Sequence, residues 1–157
     1  MQLSSLPRPF ICTSVAEGGL ERTIRTIKTA EYEGASAFEV HLPLLGYPSE
    51  AELEQLTAAT ACPIYATCRR DKFYELLGAE DVVELSESER TDRLVAAVEA
   101  GLDGIDIELD AFDCQAGPSS FTESAIESYA EDPETGPAEV SDDQNAIDQQ
   151  RAVIDRV

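Results

Sequence analysis

Gly104–Leu109 (GIDIEL) is the last of four short apolar runs, after Phe10–Val15 (FICTSV), Ala37–Leu42 (AFEVHL) and Pro63–Arg69 (PIYATCR), that carry polar residues near their carboxyl ends. Segments with helical spacing separate them, so the chain reads as repeated βα units around a parallel sheet, an α/β fold. Both faces of such a sheet are ordinarily covered, and its strands are then almost wholly apolar. Glu39, His41, Arg69, Asp106 and Glu108 break that pattern. Ionisable groups near the carboxyl ends of strands are where βα barrels keep their chemistry.

The intervening segments fit the same scheme. Glu17-Gly18-Gly19 forms a loop, and Leu20, Ile24 and Ile27 then share one face of a helix that Gly34 stops. Pro43, Gly46 and Pro48 lead into Ser49-Glu50-Ala51-Glu52, a capping box opening a helix with Leu53 and Leu56 inward. Asp71–Leu85 is less regular, because Gly78 bars a long helix. Ser86 and Glu89 cap the next helix, with Leu94, Ala97 and Val98 on one face and Gly101 as its stop. Ala111–Val140 is rich in Ser, Glu, Asp, Pro and Gly, and a βα loop of about thirty residues is long. It reads as an acidic insertion, a solvated loop rather than a lid, within a single partial βα-barrel domain spanning residues 1–157. Ser141 and Gln144 start a last helix with Ile147, Ile154 and Val157 on one face. No capping residue closes it, which suggests a truncated sequence.

A chain of 157 residues suits one domain with a real core. It is short for a complete eight-stranded barrel of about 250 residues. Thirty-two acidic against eleven basic side chains give a formal charge of −21. A nucleic-acid or membrane-surface binder needs a positive patch. None exists beyond Arg69-Arg70, so neither partner is expected. The acids are spread along the chain, which suggests a soluble cytoplasmic protein of a salt-loving organism, its self-repulsion screened by salt. There is no run of about 18 apolar residues to span a membrane. Cys12, Cys62, Cys68 and Cys114 form no CxxC pair, and the start MQLSSLPRPF is not secretory, so reduced thiols are expected. Cys12, Cys62 and Cys68 read as small core hydrophobes. A single histidine argues against His-rich zinc sites.

Period-two alternation puts Glu39 and His41 on one face of the second strand, and Asp106 and Glu108 on one face of the fourth. In a barrel that face is the interior, where Arg69 is the natural counter-ion for carboxylates that are costly to bury alone. Arg69 also suits a bidentate ligand carboxylate, and Ser14 can donate to a hydroxyl or carboxylate. The expected ligand is a small, polar, anionic molecule. The same acidic and basic residues equally read as an interior ion-pair network that holds strand register, and His41 as a satisfied core histidine. Oxygen ligands from Glu39, Asp106 and Glu108 would suit magnesium or calcium, but their spacing does not demand a metal and none is assigned.

At these residues the chain resembles the type I 3-dehydroquinate dehydratases, Schiff-base lyases of the shikimate pathway with a (β/α)8 TIM-barrel fold and no cofactor. The opening strand ending in a substrate-contacting serine resembles Pro9-Phe10-Ile11-Cys12-Thr13-Ser14. The Glu-x-Arg-x-Asp motif is similar to Glu39-Val40-His41-Leu42-Pro43, Thr-x-Arg to Thr67-Cys68-Arg69, and Asp-x-Glu-Leu to Asp106-Ile107-Glu108-Leu109. The resemblance covers all but the insertion and reaches the first half of the family barrel, about four βα units. It implies that Ser14, Glu39, His41 and Arg69 bind a small anionic hydroxy-acid substrate, with Asp106 and Glu108 in support. His41 replaces a substrate-binding arginine and Pro43 an aspartate, which points to a divergent relative. The family's catalytic histidine and Schiff-base lysine lie on the fifth and sixth strands, past Val157, so no catalytic residue is expected here and the isolated chain is expected to be inactive. Two other readings stand beside it: another βα-barrel aldolase or isomerase of a hydroxy acid, and a non-catalytic half-barrel forming a homodimer.

Overall fold

The computed structural model describes residues 6–79, 81–108 and 144–156. In chain order these form β1 (Cys12–Val15), α1 (Leu20–Tyr32), β2 (Ala37–His41), a 3₁₀ turn (Leu42–Leu45), α2 (Glu50–Thr57), β3 (Ile64–Thr67), α3 (Asp71–Leu76), α4 (Glu87–Glu99), β4 (Gly104–Asp106) and α5 (Gln144–Ile154). The Ala111–Val140 insertion and the Ser141 cap lie outside the described residues.

The strands form one parallel sheet in the order β1-β2-β3-β4. Each joins the next through helix, as in the wall of a (β/α)8 barrel. The fold is therefore the α/β class read from the sequence. Strand pairing sorts the side chains by parity. Val15, Phe38, Val40, Ile64 and Ala66 share one face and pack into a core with Ile27 of α1, Leu53 and Leu56 of α2, and Leu94 and Ala97 of α4. The opposite face carries Ser14, Glu39, Tyr65 and Gly104 in one row, with His41, Thr67 and Asp106 in the next row toward the carboxyl ends. One face is thus apolar and covered by helices, the other polar and open, among the described residues.

Local signals set the helix ends. Both capping boxes form: the Ser49 and Ser86 backbone N–H groups donate to Glu52 at 2.8 Å and Glu89 at 2.9 Å, opening α2 and α4. Gly34, at φ +107°, ends α1 in the left-handed region while Ala35 N–H donates back to the Ala30 carbonyl at 2.9 Å. At Gly104 the need is space. A Cβ there would meet the Tyr65 ring at 2.7 Å, so only glycine lets that ring lie across β4.

Three expectations change. The strands are shorter than the apolar runs, β3 ending at Thr67 and β4 at Asp106, because the ladder between them stops at the Thr67–Asp106 pair. The irregular stretch after β3 contains a helix, α3, which the wholly buried Tyr74 anchors against the sheet end. Of the cysteines read as core, only Cys68 is buried; Cys62 is half-buried and Cys12 is exposed, because its parity places it on the open face. Burial pushes the Cys68 thiol up to about 11.

Leu56, fully buried among α2, the sheet and α4, tests the core. Leu56→Ala should lower unfolding stability by about 3 kcal/mol, read from the urea midpoint at constant slope.

Candidate active site at the carboxyl ends of the strands

Each strand contributes from its carboxyl end: Ser14 from β1, Glu39 and His41 from β2, Thr67 and the following Arg69 from β3, Asp106 from β4. The row His41–Thr67–Asp106 is set by direct strand register. Arg69 lies just past the ladder and turns back onto its neighbours. Its Nη2 donates to Asp106 Oδ2 at 2.5 Å and stands 3.8 Å from Glu39 Oε1. Thr67 Oγ1 donates to the same Asp106 oxygen at 3.3 Å. The Phe73 ring supports the guanidinium from a third side, its centroid 5.7 Å from Arg69 Cζ. Among the described residues, Arg69 thus stands between the carboxylates of Glu39 and Asp106.

His41 is only 4% exposed. Its Nε2 lies 3.0 Å from Ser14 Oγ and its Nδ1 lies 3.3 Å from Tyr74 Oη. Phe73 stacks parallel to the imidazole with centroids 5.7 Å apart, and Tyr74 meets it edge-on. The Arg69 backbone N–H donates to Tyr74 Oη at 3.1 Å, which ties α3 to the end of β3. Burial lowers the His41 pKa; Glu39 and Asp106 pull it up, Arg69 pushes it down, and burial prevails. Burial likewise pushes the Tyr74 phenol well above its ordinary value.

Glu108 is elsewhere. The sequence placed it on the same face as Asp106, but β4 ends at Asp106 and the alternation does not carry Glu108 into the Arg69 group. Instead Arg90 Nη1, from α4, donates to Glu108 Oε2 at 2.6 Å, and Arg70 approaches its other oxygen at 3.9 Å. Glu87 joins both arginines, at 2.9 Å from Arg70 and 2.7 Å from Arg90. Burial alone would pull the Arg90 guanidinium down; Glu108 and Glu87 outweigh it and hold it above its ordinary value. This second cluster ties α4 to the carboxyl end of β4. Glu39, Asp106 and Glu108 therefore do not converge on one point, and no group of three His, Cys, Asp or Glu side chains among the described residues is arranged to hold a metal ion.

Four residues escaped the sequence reading: Phe73 and Tyr74, which pack on His41, and Arg90 and Glu87, which bind Glu108. The aromatic pair in the connection after β3 was the available signal, since such a pair among charged neighbours needs something to cover. Arg90 carried none, because a single arginine on a helix reads as solvated.

Consecutive βα units with polar groups gathered at the carboxyl ends of their strands define a βα-barrel enzyme domain. The family model for type I 3-dehydroquinase matches residues 11–131, most of the chain, and the chain belongs to that family, whose fold is a TIM barrel and whose members are hydro-lyases. No curated protein matches it. No helix among the described residues is long and apolar enough to cross a membrane.

Two outcomes follow. Glu108→Ala leaves the buried Arg90 with Glu87 as its remaining carboxylate and should cost about 2 kcal/mol of stability by denaturant unfolding. Because folding lowers the His41 pKa, the unfolded chain binds its proton more readily; the stability involved is present above about pH 6.5 and falls away as pH drops through the depressed folded pKa. A pH series of thermal midpoints should show that loss in wild type, and His41→Gln should flatten it.

Proposed function

We propose that this domain forms the substrate-positioning half of a type I 3-dehydroquinate dehydratase-like site, and that its ligand is 3-dehydroquinate or a closely related hydroxy acid. The observation that carries this reading is the gathering of Ser14, Glu39, His41 and Arg69 at the carboxyl end of one parallel sheet, in a chain of the type I 3-dehydroquinase family. Arg69 offers guanidinium N–H groups to a carboxylate, Glu39 accepts from a ligand hydroxyl, and Ser14 supplies a short polar contact from β1. Asp106 and Phe73 hold the guanidinium in place.

In the dehydration that the resemblance implies, a lysine amine condenses with the substrate ketone, and a histidine removes the neighbouring C–H proton and returns one to the departing hydroxyl, releasing water. Lys28 lies on α1 and Lys72 on α3, neither on a strand of the sheet, and His41 is enclosed by Ser14, Phe73 and Tyr74. The residues of this chain position; the covalent and acid–base steps belong to groups on later strands of the family barrel. A fixed geometry of this kind is worth much of a reaction barrier even where no bond is made.

A second reading has its own support. Arg69 already faces two carboxylates, and a neutral His41 stands where the family motif has an arginine, so the group holds less positive charge than an acid substrate invites. A βα-barrel aldolase or isomerase for a more neutral hydroxylated carbonyl compound fits that balance.

Calorimetric titration of the 157-residue chain with 3-dehydroquinate separates them. Saturable binding without formation of dehydroshikimate is expected, and Arg69→Lys, which loses the bidentate fork, should weaken it about tenfold. Absence of heat at millimolar ligand would overturn the substrate assignment in favour of the second reading, and turnover would overturn the division of labour between positioning and chemistry.

A further inference from the structure

The Tyr74 side chain is wholly buried, and its hydroxyl touches two groups. The Arg69 backbone N–H, at 3.1 Å, can only donate to it. The other neighbour is His41 Nδ1 at 3.3 Å. A buried phenol proton without an acceptor is costly, and among the described residues His41 Nδ1 is the acceptor within reach. We infer that Tyr74 donates its hydroxyl proton to His41 Nδ1, fixes His41 as the Nε2–H tautomer, and thereby makes Ser14 a hydrogen-bond donor toward the ligand.

The proton sequence runs one way from there. His41 Nε2–H donates to Ser14 Oγ across 3.0 Å, so that oxygen accepts and its own proton is released from the imidazole. Ser14 is exposed on the open face of the sheet, where this proton points at whatever binds there. The proton that Ser14 presents calls for an acceptor on the ligand, a carboxylate, carbonyl or hydroxyl oxygen, while the second lone pair of Oγ can still take a donor. The opposite tautomer would have Ser14 donating to Nε2, with His41 as a base and Ser14 as a candidate nucleophile; the Tyr74 hydroxyl excludes that arrangement. Phe73, stacked within 4° of parallel to the ring, resists the rotation that would exchange the two nitrogens. Glu39 of β2, Arg69 past β3, Asp106 of β4 and Tyr74 of α3 are the charged and titratable groups around the imidazole. A second proton on the ring would set Nδ1–H against the Tyr74 proton, in keeping with the lowered basicity of His41. Tyr74 is a positioning residue in this scheme, acting on the ligand through His41 and Ser14.

The identity of the ligand rests on the function proposed above; the tautomer does not. The chain contains one histidine, so labelling histidine with a nitrogen isotope gives a single imidazole by NMR. Near neutral pH the wild-type protein should show a proton-bearing, pyrrole-type Nε2 and a pyridine-type Nδ1. In Tyr74→Phe, which keeps the ring and removes only the hydroxyl, the ratio of the Nε2–H to the Nδ1–H form should fall about tenfold, the worth of one hydrogen bond. An Nδ1–H tautomer in wild type overturns the inference, as does an unchanged ratio in a Tyr74→Phe protein whose circular dichroism shows it folded. If Tyr74→Phe does not fold, the wild-type tautomer alone decides. Adding 3-dehydroquinate should shift the Nε2 resonance; with the tautomer as inferred and no shift, the substrate reading fails while the role of Tyr74 stands.

Discussion

Parallel pairing of His41 with Thr67, and of Thr67 with Asp106, sets the polar row at the carboxyl end of the sheet. Because register and parity are locked together, a slip of one residue in β2 would carry Glu39 and His41 into the helix-covered core and bring Val40 out to the open face. The apolar face, with Phe38, Val40, Ile64 and Ala66 fully or almost fully buried, is what prevents that slip. The polar row is therefore a consequence of the core on the other side of the sheet. It needs only enough pairing of its own to be tolerated.

That pairing is divided between two ion clusters with different jobs. The Arg69 group, with Glu39 and Asp106, is partly exposed and faces the open side of the sheet. Its Coulomb energy is screened, so it adds little to stability and remains able to exchange partners with a ligand. The Arg90–Glu108 pair is almost wholly buried, each side chain about 6–7% exposed, and Arg70 and Glu87 complete it. A buried pair cannot lose one member cheaply, so it serves as a clasp between α4 and β4. Adjacent arginines, Arg69 and Arg70, thus work on opposite clusters.

The third element is aromatic. Phe73 and Tyr74, on α3, lean on His41, while Tyr74 also takes the Arg69 backbone N–H. His41 is an enclosed imidazole, and the aromatic wall favours its neutral state. On the open side the imidazole meets Ser14, a small and uncharged group.

Much of the architecture was legible because it rests on short-range physics. Alternation in the four apolar runs, the capping boxes at Ser49 and Ser86, and the stops at Gly34 and Gly101 each depend on residues within a few positions of one another, so the βα order and the ends of α1, α2 and α4 that these signals mark follow from the chain alone, whereas α3 did not. The grouping of Glu39, Arg69 and Asp106 could be anticipated for the same reason, as strand ends of adjacent units. Glu108 could not, since the end of a strand is decided by where its neighbour stops offering hydrogen bonds, and Arg90 lies on a helix whose rotation about its own axis is set by packing. Nor could the partner of His41, because whether an imidazole meets solvent or a phenol depends on how α3 folds back over the sheet. Sequence determined which side chains are available at each strand end. Only the tertiary structure decided which of them share a charge, because electrostatic partners are chosen by distance in space and burial, which no local pattern encodes.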